Sequence, residues 1–155
     1  VGQDDIGLAI IDEFTQYKLP AVYYSITLEP ITIFLDVDEK IFGNPSNQNI
    51  IAPMLMKSLE KELGATFVKT KRGSDYIIQA EVDTKKLEEV YSVVTASADM
   101  NIYFKKGEKT LFAESVTGIK GAQSTYERAA KAALKNLAIK IEEETAKNIA
   151  NQFLN

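Results

Sequence analysis

The sequence predicts an α+β fold within one domain, residues 1–155: a single mostly antiparallel sheet of about four to five strands, a long C-terminal helix with a second helix packed on it, and a short N-terminal helix. Three observations carry this. From Tyr91 to Phe104, Val94, Ala96, Ala98, Met100, Ile102 and Phe104 share one parity while Thr95, Ser97, Asp99 and Asn101 take the other, the alternation of a strand with one buried and one wet face. From Tyr126 onward the apolar residues return at three and four, the stripe of an amphipathic helix. The periodicities run helix, strand, strand, helix, strand, strand, strand, helix, which suits a sheet with helices on one face.

Taken in order, Ile6, Ile10, Phe14 and Tyr17 have helical spacing, and Pro20 ends that helix. Val22 to Leu28 is rich in β-branched and aromatic residues. After Pro30, Ile31, Ile33, Leu35 and Val37 alternate with Thr32, Phe34 and Asp36, a strand partly covered on both faces. Gly43 to Asn47 is turn chemistry. Ile50, Ile51, Met54, Leu55, Leu59 and Leu63 then mark a helix that ends at Gly64, with Asn47 or Asn49 as its expected N-cap. Thr66 to Lys69 suits a short strand, and Asp75 to Val82 a longer one that stops before the polar stretch Thr84 to Glu89. The strand from Tyr91 to Phe104 turns at Lys105 to Lys109 and returns from Thr110 to Thr117. Gly118 and Gly121 are expected to bracket a loop. Ser124 and Glu127 then have capping-box spacing. The helix that follows carries Ala130, Ala133, Leu134, Leu137, Ile141, Ala146, Ile149 and Phe153 on one stripe. At 1.5 Å per residue it would reach about 45 Å, so it either breaks near Glu142 to Thr145 or carries its last turns past the sheet.

The absences restrict the chemistry. The 155 residues include no His, Cys or Trp. Triads with an imidazole base, thiol nucleophiles, zinc sites on His or Cys, His-ligated haem and iron–sulfur clusters are thereby excluded. Carboxylate, Lys, Tyr or Ser/Thr chemistry remains, or none. With 18 basic and 22 acidic residues the net charge is −4, which argues against a nucleic-acid partner. No run reaches the roughly 20 apolar residues of a membrane-spanning helix.

The motif that most resembles an active site is Asp36-Val37-Asp38 at the end of an apolar run. Haloacid-dehalogenase-type phosphotransferases present a nucleophilic and an acid/base aspartate around magnesium in this way, and two carboxylates two apart on a strand share a side. Glu39 and Lys40 depart from that family's next positions, and no alternating β/α pattern follows, so a solvated strand is the stronger reading. A calcium loop fails because Lys40 stands where an oxygen ligand is needed. Gly107-Glu108-Lys109-Thr110 lacks the leading Gly of a phosphate-binding loop and reads as a hairpin turn. Gly118-Ile119-Lys120-Gly121 has the spacing of an RNA clamp loop, on an acidic chain that suits RNA poorly. Tyr23, Tyr24, Tyr76, Tyr91 and Tyr103 would line a small-ligand pocket or pack across strands. Lys85-Lys86 and Lys105-Lys106 read as solvated turn ends.

One set of segments resembles a family. Ser74-Asp75-Tyr76-Ile77-Ile78-Gln79-Ala80-Glu81 resembles the ADYVIxG-like strand of a loose group of bacterial envelope proteins. The run Val93 to Ile102 with Gly107 to Glu114 is similar to that group's hairpin, and Glu127, Ala129, Ala130, Ala133, Leu134, Leu137, Ala138 and Ile141 to its closing Ala-rich helix. The group comprises curli-secretion lipoproteins, lipoprotein activators of penicillin-binding proteins, flagellar lipoproteins and the N-terminal domain of the Tol-Pal translocation protein. The resemblance spans Ile31 to Ile141. It implies a non-catalytic interaction or assembly domain located in the periplasm or on the inner face of the outer membrane; no cofactor or metal is expected of a chain without His or Cys. Its implied partners are envelope proteins, and it transfers no functional residue. The acylated Cys of the lipoprotein members is not among these residues.

Two alternatives stand beside this reading: a magnesium-dependent phosphotransferase or hydrolase using Asp36 and Asp38, and a small-ligand-binding domain. Ile149 and Phe153, expected to lie beyond the sheet, form the candidate interaction surface through which the domain self-associates or docks by its last helix. Intramolecular cover of these two residues by Ile6, Ile10 and Phe14 is the competing reading.

Overall fold

The computed structural model describes residues 21–25 and 29–153. The helix expected from Asp4 to Tyr17 lies outside them, and of the strand expected from Val22 to Leu28 only residues 22–25 lie within them, in no regular structure. The sheet is organised around β1 (Thr32–Ile41). A two-residue turn with both φ positive, 53° at Phe42 and 78° at Gly43, folds β1 onto the short antiparallel β2 (Asn44–Pro45). Helix α1 (Ile51–Leu63) then returns the chain to β3 (Thr66–Val68), which pairs parallel to β1. Strand β4 (Tyr76–Val90) lies parallel along the other edge of β1, followed by the antiparallel β5 (Val93–Lys106) and β6 (Lys109–Gln123).

The sheet therefore has six strands in the order β2-β1-β4-β5-β6, with β3 beside β1. It is mixed rather than mostly antiparallel. The parallel pairs arise because α1 carries the chain back across the sheet before β3 and β4. The hairpins β4–β5 and β5–β6 are both antiparallel, the second of them at the turn expected from Lys105 to Lys109.

The end of β4, the course of β6 and the start of α2 differ from the sequence expectation. Strand β4 does not stop at Val82; it runs to Val90 and turns directly into β5 at Tyr91 and Ser92. Its last six residues are exposed on both faces, so the alternation that reveals a strand is missing there. Gly118 and Gly121 do not bracket a loop but lie inside β6. Gly118 (φ 71°) sits where the register with β5 shifts, a bulge that needs a left-handed residue. The helix cap is Thr125, not Ser124: the Thr125 hydroxyl accepts from the Arg128 amide at 3.4 Å.

The helices pack on one face of the sheet. Helix α2 (Tyr126–Lys140) continues through a π-helical turn (Ile141–Thr145) into α3 (Ala146–Asn151). That turn falls where a break was expected, and in it the Ala146 amide reaches the Ile141 carbonyl five residues back. The extra residue rephases the stripe, so Leu137, Ile141, Thr145, Ala146 and Ile149 all face the core.

The last turns of the helix pack on the chain's own core rather than overhanging the sheet as expected. Residues 126–151 span roughly 39 Å at 1.5 Å per residue, against about 50 Å at roughly 3.3 Å per residue for the 15-residue β4. Ile149 is fully buried. Phe153 is half-buried against Tyr76 at 5.0 Å and Phe104 at 5.3 Å between ring centroids. Ile149 belongs to the chain's own core, and Phe153 packs partly buried against that core. Among the described residues no helix is long and apolar enough to cross a membrane.

Candidate interaction site

The sheet face opposite the helices is polar. Asp36, Asp38 and Lys40 alternate outward from the middle of β1, and Asp36 pairs in register with Gln79, Asp38 with Glu81. A hollow of 340 Å³ is lined by Asp36, Asp38, Gln79, Glu81, Tyr103 and Lys105. A second, of 530 Å³, shares Asp38 and Glu81 and adds Lys40, Asp83, Lys85 and Asp99.

Much of this charge is internally paired. Lys40 donates to Asp38 at 2.7 Å and Lys85 to Asp99 at 2.7 Å, while Lys105 donates to the Gln79 side-chain oxygen at 2.6 Å. The hydrogen bond and charge of Asp38 raise the pKa of Lys40, as Asp99 does for Lys85. Asp99 is held below the usual carboxylate range, first by the Lys85 hydrogen bond and then by the Gly118 amide at 2.8 Å.

This geometry does not fit a magnesium-dependent phosphotransferase. Asp36 and Asp38 stand mid-strand rather than at the carboxyl end of β1, and Asp38 is committed to Lys40. Among the described residues, no three carboxylates converge closely enough to hold a metal ion. The tyrosines do not line a common pocket either. Tyr76 stacks on Phe104 at 5.1 Å, Tyr103 lies on the open face, and Tyr91 is at a hairpin tip.

That tip is an exposed feature of which the sequence candidates included only Tyr91. From Leu87 to Val93 every residue is exposed. Val90 and Val93 face each other across the turn, half-exposed, and Tyr91 is 97% exposed. Tyr91 (φ 50°) and Ser92 (φ 65°) are both left-handed. A hairpin turn of this kind favours Asn-Gly, and each left-handed side chain costs about 1 kcal/mol.

The base of the tip is held by the β1–β2 turn and by the start of α2. The Phe42 amide donates to the Thr84 hydroxyl at 3.1 Å and the Gly43 amide to Asp83 at 3.0 Å. Lys86 is not merely a solvated turn end: its ammonium lies 5.1 Å from the Phe42 ring and 5.2 Å from the Tyr126 ring, contacts worth about 0.5–1 kcal/mol each at an exposed position. The Tyr126 hydroxyl donates to the Leu87 carbonyl at 3.3 Å, at the bulge between Lys86 and Glu89. The apolar tip is thus fixed at its root and uncovered at its end. Its sequence signal is the polar pair and turn inside a valine-flanked run, which reads equally well as an ordinary strand start.

No protein-family model matches the chain, and comparison with curated proteins finds no significant match. Solved structures resemble it in outline. A minor lipoprotein from Acinetobacter baumannii aligns at 12% identity over 81% of this chain and 92% of its own, with a TM-score of 0.49. A Xanthomonas campestris protein of the DUF330 family aligns at 13% identity over 81% and 87%, with a TM-score of 0.49. A lipoprotein from Neisseria meningitidis aligns at 14% identity over 71% and 99%, with a TM-score of 0.40.

Proposed function

We propose that this chain is a non-catalytic interaction domain of the bacterial cell envelope that docks through the tip of its β4–β5 hairpin. The observation that carries the docking surface is Tyr91, 97% exposed in a left-handed turn between Val90 and Val93. A bulky aromatic held in solvent at a conformational cost serves no fold requirement, and apolar protrusions of this kind mark contacts. The absence of His and Cys and the dispersed carboxylates support a non-catalytic role. The envelope assignment is supported by the resemblance of Ser74 to Glu81 and of the following hairpin and helix to envelope accessory proteins.

The test is a photo-crosslinking side chain at position 91, with one at the exposed helix position 139 as control, in cells that carry the native gene. The expected result is a crosslink specific to position 91 that excess wild-type protein suppresses and a Tyr91→Asn/Ser92→Gly variant does not. Equal labelling from both positions would sink the proposal.

A further inference from the structure

We infer that the tip's partner is a second copy of this chain, each protomer's tip seated on the basic hollow between α2 and β6 of the other; this rests on reading the tip as a docking surface. The hollow measures 310 Å³ and is lined by Gln123, Arg128, Lys131, Ala132 and Lys135. Its three cations follow one side of α2 at spacings of three and four. Among the described residues none of them is in an ion pair. Like charges at that spacing each cost about 0.2–0.5 kcal/mol, a repulsion that an acidic partner would relieve.

The tip supplies the complement. Glu88 and Glu89 are exposed beside Tyr91 and also form no ion pair among the described residues, whereas the neighbouring Lys85 and Lys86 are engaged by Asp99 and by the Phe42 and Tyr126 rings. Lys85 is neutralised by Asp99, and Lys86 keeps its charge above the two rings, so Glu88 and Glu89 leave the tip with a net negative charge, which suits a basic seat and opposes an anionic lipid surface. The open ring of Tyr91 is a further match, since an aromatic face attracts a guanidinium such as that of Arg128.

Position favours closure. The tip and the hollow lie at the same end of the molecule: Val94 of β5 pairs with Gln123, which lines the hollow, and Tyr126 at the start of α2 bonds the Leu87 carbonyl. A two-fold axis near that end brings tip to hollow and hollow to tip at once, giving a closed dimer rather than a filament.

The experiment is sedimentation of the full chain over a concentration series, at low and high salt. The expected result is a monomer–dimer equilibrium that salt weakens. Glu88→Lys with Glu89→Lys should weaken association about tenfold or more, and Lys131→Glu with Lys135→Glu should do the same. An equimolar mixture of the two variants should dimerise again, because both contacts then pair opposite charges. All four positions are at least partly exposed, and circular dichroism checks that the variants fold. A protein that stays monomeric, a dimer indifferent to both reversals, or a mixture that fails to reassociate would overturn the inference. If the position 91 crosslink remains specific in a monomeric protein, this inference falls while the docking role of the tip stands. Monomer binding to phosphatidylcholine vesicles that Tyr91→Asn/Ser92→Gly abolishes would likewise overturn it, assigning the tip to a bilayer.

Discussion

A Cβ on Gly121 would lie 2.2 Å from the backbone nitrogen of Ala133, so β6 passes beneath α2 at backbone contact. Ala129 and Ala133, both fully buried, let the helix settle to that distance. The obstructing atoms are backbone, including the Ala129 carbonyl at 2.5 Å, and cannot step aside. Gly121→Ala is expected to cost about 3 kcal/mol, the upper end of overpacking in a core. Gly118→Ala meets open space and strains only its φ of 71°, for about 1 kcal/mol. Urea midpoints of the two variants check the ranking; equal losses would refute the close approach.

The second prediction concerns the start of α1. No side chain of the local sequence caps it. Instead Glu39, buried on β1, accepts from the amides of Ile50 at 2.9 Å and Ile51 at 2.8 Å, and its other oxygen accepts from the Ser46 hydroxyl at 2.9 Å. A carboxylate at a helix N-terminus satisfies orphan donors and opposes the helix dipole. Glu39→Ala leaves both amides unpaired and is expected to cost about 2–3 kcal/mol. Asn47→Ala and Asn49→Ala, the caps the sequence suggested, should change stability by much less. Denaturant titration of the three variants decides between the two caps.

These two contacts show where sequence reading succeeds and where it stops. The β5–β6 hairpin, the α1 stripe with its Gly64 cap and the Ala-rich face of α2 were legible because each is written in a local period. The Glu39 cap was not, since its partners are eleven and twelve residues away with no local pattern between them. Gly118 and Gly121 read as a loop because a glycine does not declare whether it serves a turn, a bulge or a close approach. The outer half of β4 is wet on both faces and shows no alternation. Ile149 and Phe153 read as uncovered because a continuous helix of about 45 Å exceeds the width of a four- to five-stranded sheet. Ending β4 near Val82 hid the hairpin tip.

The third prediction is acid sensitivity set by Asp99. Its folded pKa is depressed from an ordinary 3.8 by the Lys85 and Gly118 hydrogen bonds. Asp75 is depressed too, by the Thr32 amide and hydroxyl that donate to it at 2.8 and 2.7 Å. A depressed carboxylate contributes stability above its unfolded pKa and loses it as pH falls through the folded value. Wild-type melting temperature is therefore expected to drop as pH falls below about 4. Asp99→Asn should start lower at neutral pH and lose less on acidification, and Asp75→Asn should behave alike. Melting curves across the acid range test this; parallel curves for wild type and both variants would contradict it.

The last prediction sets stability against association at the hairpin tip. Tyr91 and Ser92 occupy left-handed conformations without being glycine, and Asn-Gly is the pair that such a turn accepts with least strain. Replacing them removes roughly 1 kcal/mol of strain at each position. Little packing is lost in exchange, because Tyr91 is almost wholly exposed. Tyr91→Asn/Ser92→Gly should therefore raise the melting temperature by a few degrees, while the self-association measured by sedimentation disappears. The opposite signs matter: a residue kept for the fold would lose stability when replaced, whereas one kept for contact gains stability and loses its partner. A stabilised variant that still associates like wild type would show that the tip is not the docking surface, and a destabilised one would show that Tyr91 belongs to the fold.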